Sequence, residues 1–232
     1  MPLLNAIAKK IIRDVTWGRI TTEFVSYPFF GQRIIIPRDW MGAFMKSWEP
    51  QSISYLSEHV RKGDIAVDVG ACFGLYTVIF SKIVGNDGCV YAFEPDPYMF
   101  RLLKANIKML HLENVFAANI ALGENNRTSK FYVTNGGMSS LQPMTGLRNV
   151  IETHVRKLDC FHFEKMDWLK IDTEGTEHLI LEGAKETIER CNPKLLIEFL
   201  PVFGNTDKLL LALEGWNITG LDHNILCEKE ND

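Results

Sequence analysis

The chain has 232 residues, 46% of them hydrophobic and 23% charged, and a formal net charge of −4. That length can bury a full core and favours one large α/β domain over two, while the acidic balance excludes long-range attraction to nucleic-acid phosphates and leaves only a local basic face for such a partner. Five cysteines (72, 89, 160, 191 and 227) are odd in number and never spaced Cys-x-x-Cys, which speaks against a disulfide framework or zinc site and for free thiols in a reducing, cytoplasmic compartment.

Residues 1–47 read as an extension and 48–232 as the main domain. Leu3 to Arg13 has amphipathic helical spacing with Lys9, Lys10 and Arg13 on the polar side. It lacks a secretory cleavage site, and either covers a domain core or makes peripheral contact with a membrane surface. No apolar run approaches the ~20 residues that cross a bilayer. Thr21–Tyr27 and Arg33–Ile36, parted by Pro28-Phe29-Phe30-Gly31, read as a hairpin. An amphipathic helix follows around Gln51–Val60.

From Asp64 apolar runs alternate with helical periodicity, the pattern of a parallel sheet with crossover helices. Strands are expected at Ile65–Val69, Cys89–Phe93, Asn114–Asn119, Trp168–Ile171 and Lys194–Phe199. The helices between them are expected at Leu75–Val84, with Leu75, Val78, Ile79 and Ile83 on its inner face, and at Pro97–Leu110, with Phe100, Leu103, Ile107 and Leu110 inward. Thr176–Arg190 reads as one helix ended by Asn192-Pro193. Ala121–Phe163 is an irregular insert with strands near Lys130–Thr134 and Asn149–Arg156, and substrate contacts are expected there. A short helix at Asp207–Leu213 and strands at Gly215–Gly220 and Asn224–Glu228 close the chain.

Two segments carry the chemistry. Val67-Asp68-Val69-Gly70-Ala71-Cys72-Phe73-Gly74 is a turn of the form D-x-G-x-x-x-G after a strand, with Cys72 where a dinucleotide fingerprint would need glycine against the pyrophosphate. A phosphate-free nucleoside does not need that glycine, which points to S-adenosylmethionine. Glu94, closing the next strand, is placed to accept from both ribose hydroxyls. Pro95 follows it, and Asn119 with Ile120 falls where adenine would lie; a turn-capping asparagine is the competing reading. The expected cofactor set is Asp68, Gly70, Ala71, Gly74, Glu94, Pro95, Asn119, Ile120 and Asp172. The second segment is Lys170-Ile171-Asp172-Thr173-Glu174-Gly175-Thr176-Glu177.

With GDIAVDVGACFGLYT (63–77), YAFEPDP (91–97), ANIALG (118–123), HVRKLDCF (154–161), WLKIDTEGTEHLILEGA (168–184) and PKLLIEF (193–199), the chain resembles the FkbM-type S-adenosylmethionine-dependent methyltransferases over roughly Trp48–Phe199. The resemblance implies a Rossmann-like class I methyltransferase: a seven-stranded, mostly parallel sheet with a reversed final hairpin and helices on both faces. It also implies methylation of an oxygen, often a hydroxyl of a sugar, glycolipid or natural product.

Removing a hydroxyl proton requires a base near the methyl group. Asp172 is the candidate base or orienting acceptor. Glu174 and Glu198 are further acidic candidates in the same crevice, and Glu177 reads as favouring a helix N-terminus. His178 is the more basic alternative, against a surface histidine. Asn135 to Leu141, with Ser139 and Ser140, reads as a loop able to fold over the site. No metal is expected, because strand five ends Glu198-Phe199-Leu200-Pro201 and leaves an oxygen-rich Mg²⁺ shell under-supplied. A small-molecule or glycan acceptor is expected and no nucleic acid, since Asp172-Thr173-Glu174-Gly175 stands where an Asp/Asn-Pro-Pro-aromatic run would. A non-catalytic cofactor-binding scaffold is the rival of another class.

Overall fold

The computed structural model describes residues 24–29, 31–37, 49–134, 139–143, 147–203 and 205–229. The helix expected at 3–13 and most of the loop at 135–141 lie outside them. The chain runs β1 (Phe24–Phe29), β2 (Gln32–Pro37), α1 (Pro50–His59), β3 (Ile65–Val69), α2 (Leu75–Val84), β4 (Cys89–Phe93), α3 (Pro97–Met109) and β5 (Val115–Ala118). The insert supplies β6 (Ala121–Leu122), β7 (Arg127–Thr134) and β8 (Leu147–Arg156). Then come β9 (Trp168–Ile171), α4 (Glu177–Gly183), α5 (Lys185–Cys191), β10 (Lys194–Glu198), α6 (Thr206–Ala212), β11 (Asn217–Leu221) and β12 (Asn224–Glu228).

Seven strands form one sheet in the order β11-β12-β10-β9-β3-β4-β5. Pairing is parallel from β10 through β5, and β12 enters antiparallel to both β10 and β11. This is the class I methyltransferase arrangement with its final hairpin reversed. The chain leaves β3 in one direction toward β4 and returns on its other side as β9. That reversal opens a crevice at the carboxyl ends of the strands, where open α/β sheets bind ligands. Strand residues alternate between two cores. Ala66, Val90, Trp168, Leu196 and Leu226 pack under α1 and α2. Val67, Val69, Leu169, Ile171, Leu195 and Ile197 pack with residues of α4, α5 and α6. Burial on both faces explains why the parallel strands are mostly apolar. Among the described residues no helix is long and apolar enough to cross a membrane.

The hairpin forms as expected, but β1 continues through Pro28 and Phe29, and Phe29 pairs with Gln32. Ile34, Ile35 and Ile36 are fully buried against Phe73, Leu75, Val78, Met99, Leu102 and Ala105, so the hairpin shares the core of the main fold. Asn106 of α3 anchors it: its amide donates to Ile35 O (2.9 Å) and Phe73 O (2.8 Å), and its Oδ1 accepts from Ile35 N (2.7 Å). This docking changes the inner faces of two helices. In α3 the buried residues are Met99, Leu102, Leu103, Ala105 and Asn106, whereas Phe100, Ile107 and Leu110 are only half-buried. In α2 every residue from Leu75 to Ser81 is buried.

The single helix expected at Thr176–Arg190 is two. The backbone leaves helical geometry at Ala184 (φ −116°, ψ 5°), and Asp159 caps the second segment by accepting from Thr187 N (2.9 Å) and Glu186 N (3.4 Å).

Candidate active site

A cleft enclosing about 1010 Å³ of atom-free space, its open mouth included, lies over the carboxyl ends of β3, β4, β9 and β10. Asp68, Gly70, Ala71, Glu94, Pro95, Ile120, Asp172, Glu174 and Glu198 line it together, as do Cys72, Met99, Phe131, Ser139 and Leu141. Gly74, Asn119 and His178 are not among the lining residues.

The glycine turn is shaped by protein contacts as much as by any ligand. Gly70 has φ +79°, and a Cβ there would stand 1.7 Å from Asp172 O, so only glycine lets this turn cross the end of β9. Gly74 (φ +98°) precedes α2, and a Cβ would meet Leu103 Cδ1 at 2.7 Å. It serves the packing of α2 on α3. The N–H groups of Gly70 and Ala71 both donate to Phe93 O (2.9 and 3.0 Å), which locks the turn to β4.

Glu94 is 5% exposed, and its two oxygens are placed by separate backbone donors: Cys72 N to Oε2 and Asp96 N to Oε1, both at 2.7 Å. Each oxygen keeps a lone pair for a hydroxyl. Burial first, then the neighbouring Asp96, pushes the Glu94 carboxyl up to about 8. Asp68 is 1% exposed, accepts from Thr77 Oγ1, and is raised to about 6, chiefly by burial. Asp96 caps α3 by accepting from Tyr98 N (2.8 Å) and also receives Ser139 Oγ (3.3 Å). Asn119 is exposed and ties strand ends together, donating to Glu94 O (2.7 Å) and Pro95 O (3.0 Å). The adjacent Ile120, with Phe93, Met99 and Leu122, makes the apolar wall.

At the other end Asp172, Glu174 and Glu198 bring one oxygen each to within 4.8 Å of one another. These are also the three side chains a divalent cation would have to share. The cation the fold places against them is Lys170, whose Nζ lies 3.2 Å from Asp172 Oδ2. Glu174 has φ +57°, a left-handed backbone unusual for a non-glycine residue. Burial first, then Asp172, raises the Glu174 and Glu198 carboxyls. Oε2 of each is buried without a hydrogen-bond partner among the described residues. Glu177 braces this loop, accepting from Thr173 N (3.1 Å) and Gly175 N (3.0 Å). The insert crosses above it: Ser140 Oγ donates to Glu174 O (3.0 Å) and Gln142 Nε2 to Gly175 O (3.2 Å). His178 stands on α4 near Glu124, Glu182 and Lys208, and burial lowers its basicity.

Sequence reasoning missed Glu49, Tyr76 and Asp96. Glu49 lines the cleft from the start of α1, with a left-handed backbone (φ +43°). Its carboxylate accepts from Tyr76 OH and from Asn224 Nδ2 (2.9 Å). Nothing in Trp48-Glu49-Pro50 marks that residue except the proline opening a helix. Asp96-Pro97 carried a capping signature that also located a cleft residue.

The residues present fit S-adenosylmethionine. Glu94 offers a fixed bidentate acceptor for a ribose, and the apolar wall suits a purine. Asp68, Glu94 and Asp96 together would repel a pyrophosphate.

The model of the methyltransferase FkbM domain matches residues 68–217, well over half of the chain. The chain belongs to this family. It carries an S-adenosylmethionine-dependent methyltransferase domain of the FkbM type. The crystal structure of an FkbM methyltransferase from Methylobacillus flagellatus is similar with a TM-score of 0.53 and 19% identity, over 72% of this chain and 43% of that one. A putative rRNA-methylase from Clostridium thermocellum gives 0.55 and 16%, over 79% and 96%. A putative methyltransferase from Streptococcus mutans, solved with S-adenosylhomocysteine, gives 0.52 and 15%, over 77% and 96%. At these identities the likeness is one of fold. A curated relative, the protein-L-isoaspartate O-methyltransferase of Caenorhabditis elegans, is 33% identical over 73 residues, 32% of each chain. The chain thus spans about a third of that relative and under half of the M. flagellatus protein.

Proposed function

We propose that the protein methylates a hydroxyl of an uncharged small molecule or glycan, with residues 48–232 as the catalytic domain and residues 1–47 as its extension. The observation that carries this is the lining of the cleft. Its acidic members are Glu49, Asp68, Glu94, Asp96, Asp172, Glu174 and Glu198, with no lysine, arginine or histidine among the described lining residues. Such a surface repels phosphates and carboxylates and suits polyhydroxyl groups and a cationic methyl donor. That argues against a nucleic-acid acceptor, although one of the structural relatives is a putative rRNA-methylase.

Glu94 would hold the ribose of S-adenosylmethionine, Pro95 and Ile120 would flank its base, and the Gly70–Ala71 turn with Asp68 would take its amino-acid end. When bound, the cofactor would supply a methyl group activated by the positive charge of its sulfonium. Asp172 would take the proton that the acceptor hydroxyl gives up. Glu174 and Glu198, raised carboxyls beside it, orient the acceptor's other hydroxyls. Alignment in a closed cleft supplies most of the remaining acceleration. We place the protein in the cytoplasm, with residues 1–13 available for peripheral membrane contact.

The test is incubation with labelled methyl donor and a fractionated extract of the source cell. Label in a neutral, hydroxyl-bearing product supports the proposal. Label only in nucleic acid or protein overturns the acceptor class, and binding without transfer to any fraction favours the scaffold reading.

A further inference from the structure

Lys170 is the third residue of β9, a central strand whose other members, Trp168, Leu169 and Ile171, are all buried. Its own side chain is 0% exposed. An apolar residue would serve the fold better there, because an ammonium taken from water weakens a core unless it is paired. In the sheet Lys170 pairs with Asp68 of β3 and Leu196 of β10, and its Nζ lies 4.9 Å from the centre of the Tyr76 ring on α2. Its direct ion-pair partner is Asp172 Oδ2 at 3.2 Å, and it also donates to Ile171 O (3.4 Å). The acidic groups that act on it belong to the cleft: Asp172, Glu49 from α1, Glu198 from β10, Asp68 from β3 and Glu174.

The proposed methyl transfer requires one charged base among three carboxyls whose oxygens lie within 4.8 Å. Three negative charges that close would repel one another, and with no fixed counter-charge the favoured arrangement would carry fewer still. We infer that Lys170 is the positioning residue of the methyl-transfer site, its sealed ammonium keeping the negative charge of the Asp172–Glu174–Glu198 group on Asp172. Rigid and inside the sheet, it does from below what a shared divalent ion would do from within the cleft. The remaining charges around the group agree with this. Burial works to discharge Lys170, but the surrounding acids outweigh it and the group is held above its usual range. Glu174 also feels Glu177, and Glu198 feels Glu174, which favours their protonated forms.

The inference rests on the methyltransferase reading for its purpose, but its test does not need an acceptor. Protein labelled with ¹³C in aspartate and glutamate carboxyls is titrated without ligand, and protonated members of the group are counted at pH 7. The count expected is two of three in the wild type, three of three in Lys170→Met, and two again in Lys170→Arg. An unchanged count in a folded Lys170→Met variant overturns the inference. If that variant does not fold, the wild type decides alone: three ionised or three protonated carboxyls overturn it. Calorimetry with S-adenosylhomocysteine separates the two readings. Failure of the wild type to bind defeats the cofactor site and leaves the proton count standing, whereas binding with an unchanged count defeats only Lys170. Once an acceptor is known, Lys170→Met should lower kcat at least a hundredfold with KM for S-adenosylmethionine within about threefold.

Discussion

Glu94→Ala is the most informative perturbation of the cofactor site. In the wild type its two oxygens are fixed by Cys72 N and Asp96 N at 2.7 Å, and each has one lone pair left for a ribose hydroxyl. Hydrogen bonds to a charged group contribute about 1.5–3 kcal/mol each, so losing two should cost about 3–6 kcal/mol of binding, roughly a hundredfold to ten-thousandfold in Kd. The variant also orphans two backbone donors. Removal of a buried carboxyl offsets part of that, and a net stability loss of about 2 kcal/mol should lower Tm by about 4–8 °C. Titration calorimetry with S-adenosylhomocysteine, well below the variant's Tm, reads the affinity directly. The pH dependence is a second signature. Ribose hydroxyls donate to the carboxylate, and burial holds Glu94 up to about 8, so wild-type affinity should rise by up to tenfold per pH unit from pH 6 and level above pH 8. Glu94→Ala should lose that slope. Affinity within threefold of wild type, with the slope retained, would refute the ribose assignment.

Other perturbations address the base, the turn, the hairpin and the ligand-free protein. Asp172→Asn should bind S-adenosylhomocysteine within about threefold of wild type and lose about 10²–10⁴ in turnover; full activity would remove it as base. Gly70→Ala forces a Cβ to within 1.7 Å of Asp172 O at a positive φ, and should cost more than about 2 kcal/mol in urea denaturation and abolish binding. Asn106→Ala removes the side-chain hydrogen bonds to Ile35 N, Ile35 O and Phe73 O, and should cost about 2–4 kcal/mol and open the hairpin to proteolysis. The raised carboxyls of Asp68 and Glu94 stabilise the ligand-free fold when protonated. That contribution is complete below the usual carboxylate range and is lost as pH rises through about 6 and about 8. Tm without ligand should therefore fall between pH 5 and pH 9, less steeply when S-adenosylhomocysteine is present; a flat or rising profile would contradict those two environments.

The parallel strands were legible because burial on both faces leaves mostly apolar residues to read, and β9 falls on Trp168–Ile171 as expected. The three acidic candidates at strand ends could be named because strand ends converge at a topological switch point, and the structure does gather Asp172, Glu174 and Glu198. Relations made across the chain were hidden. Asp159 splits the helix after β9 from 27 and 28 residues upstream of the two amides it caps, and no periodicity within 176–190 registers that cap. Asn106 looks like a polar interruption of an amphipathic helix until the hairpin it anchors is in place. Glu49 entered the cleft through a single left-handed turn before a proline, and Asn119 turned from a base-reading candidate into a tie between strand ends.

Calorimetric titration of the unmodified protein with S-adenosylhomocysteine, and separately with NAD, tests the account most directly. It predicts one site per chain with a micromolar Kd for the former and no measurable heat for the latter. No binding of S-adenosylhomocysteine at millimolar concentration, or comparable binding of NAD, would contradict it.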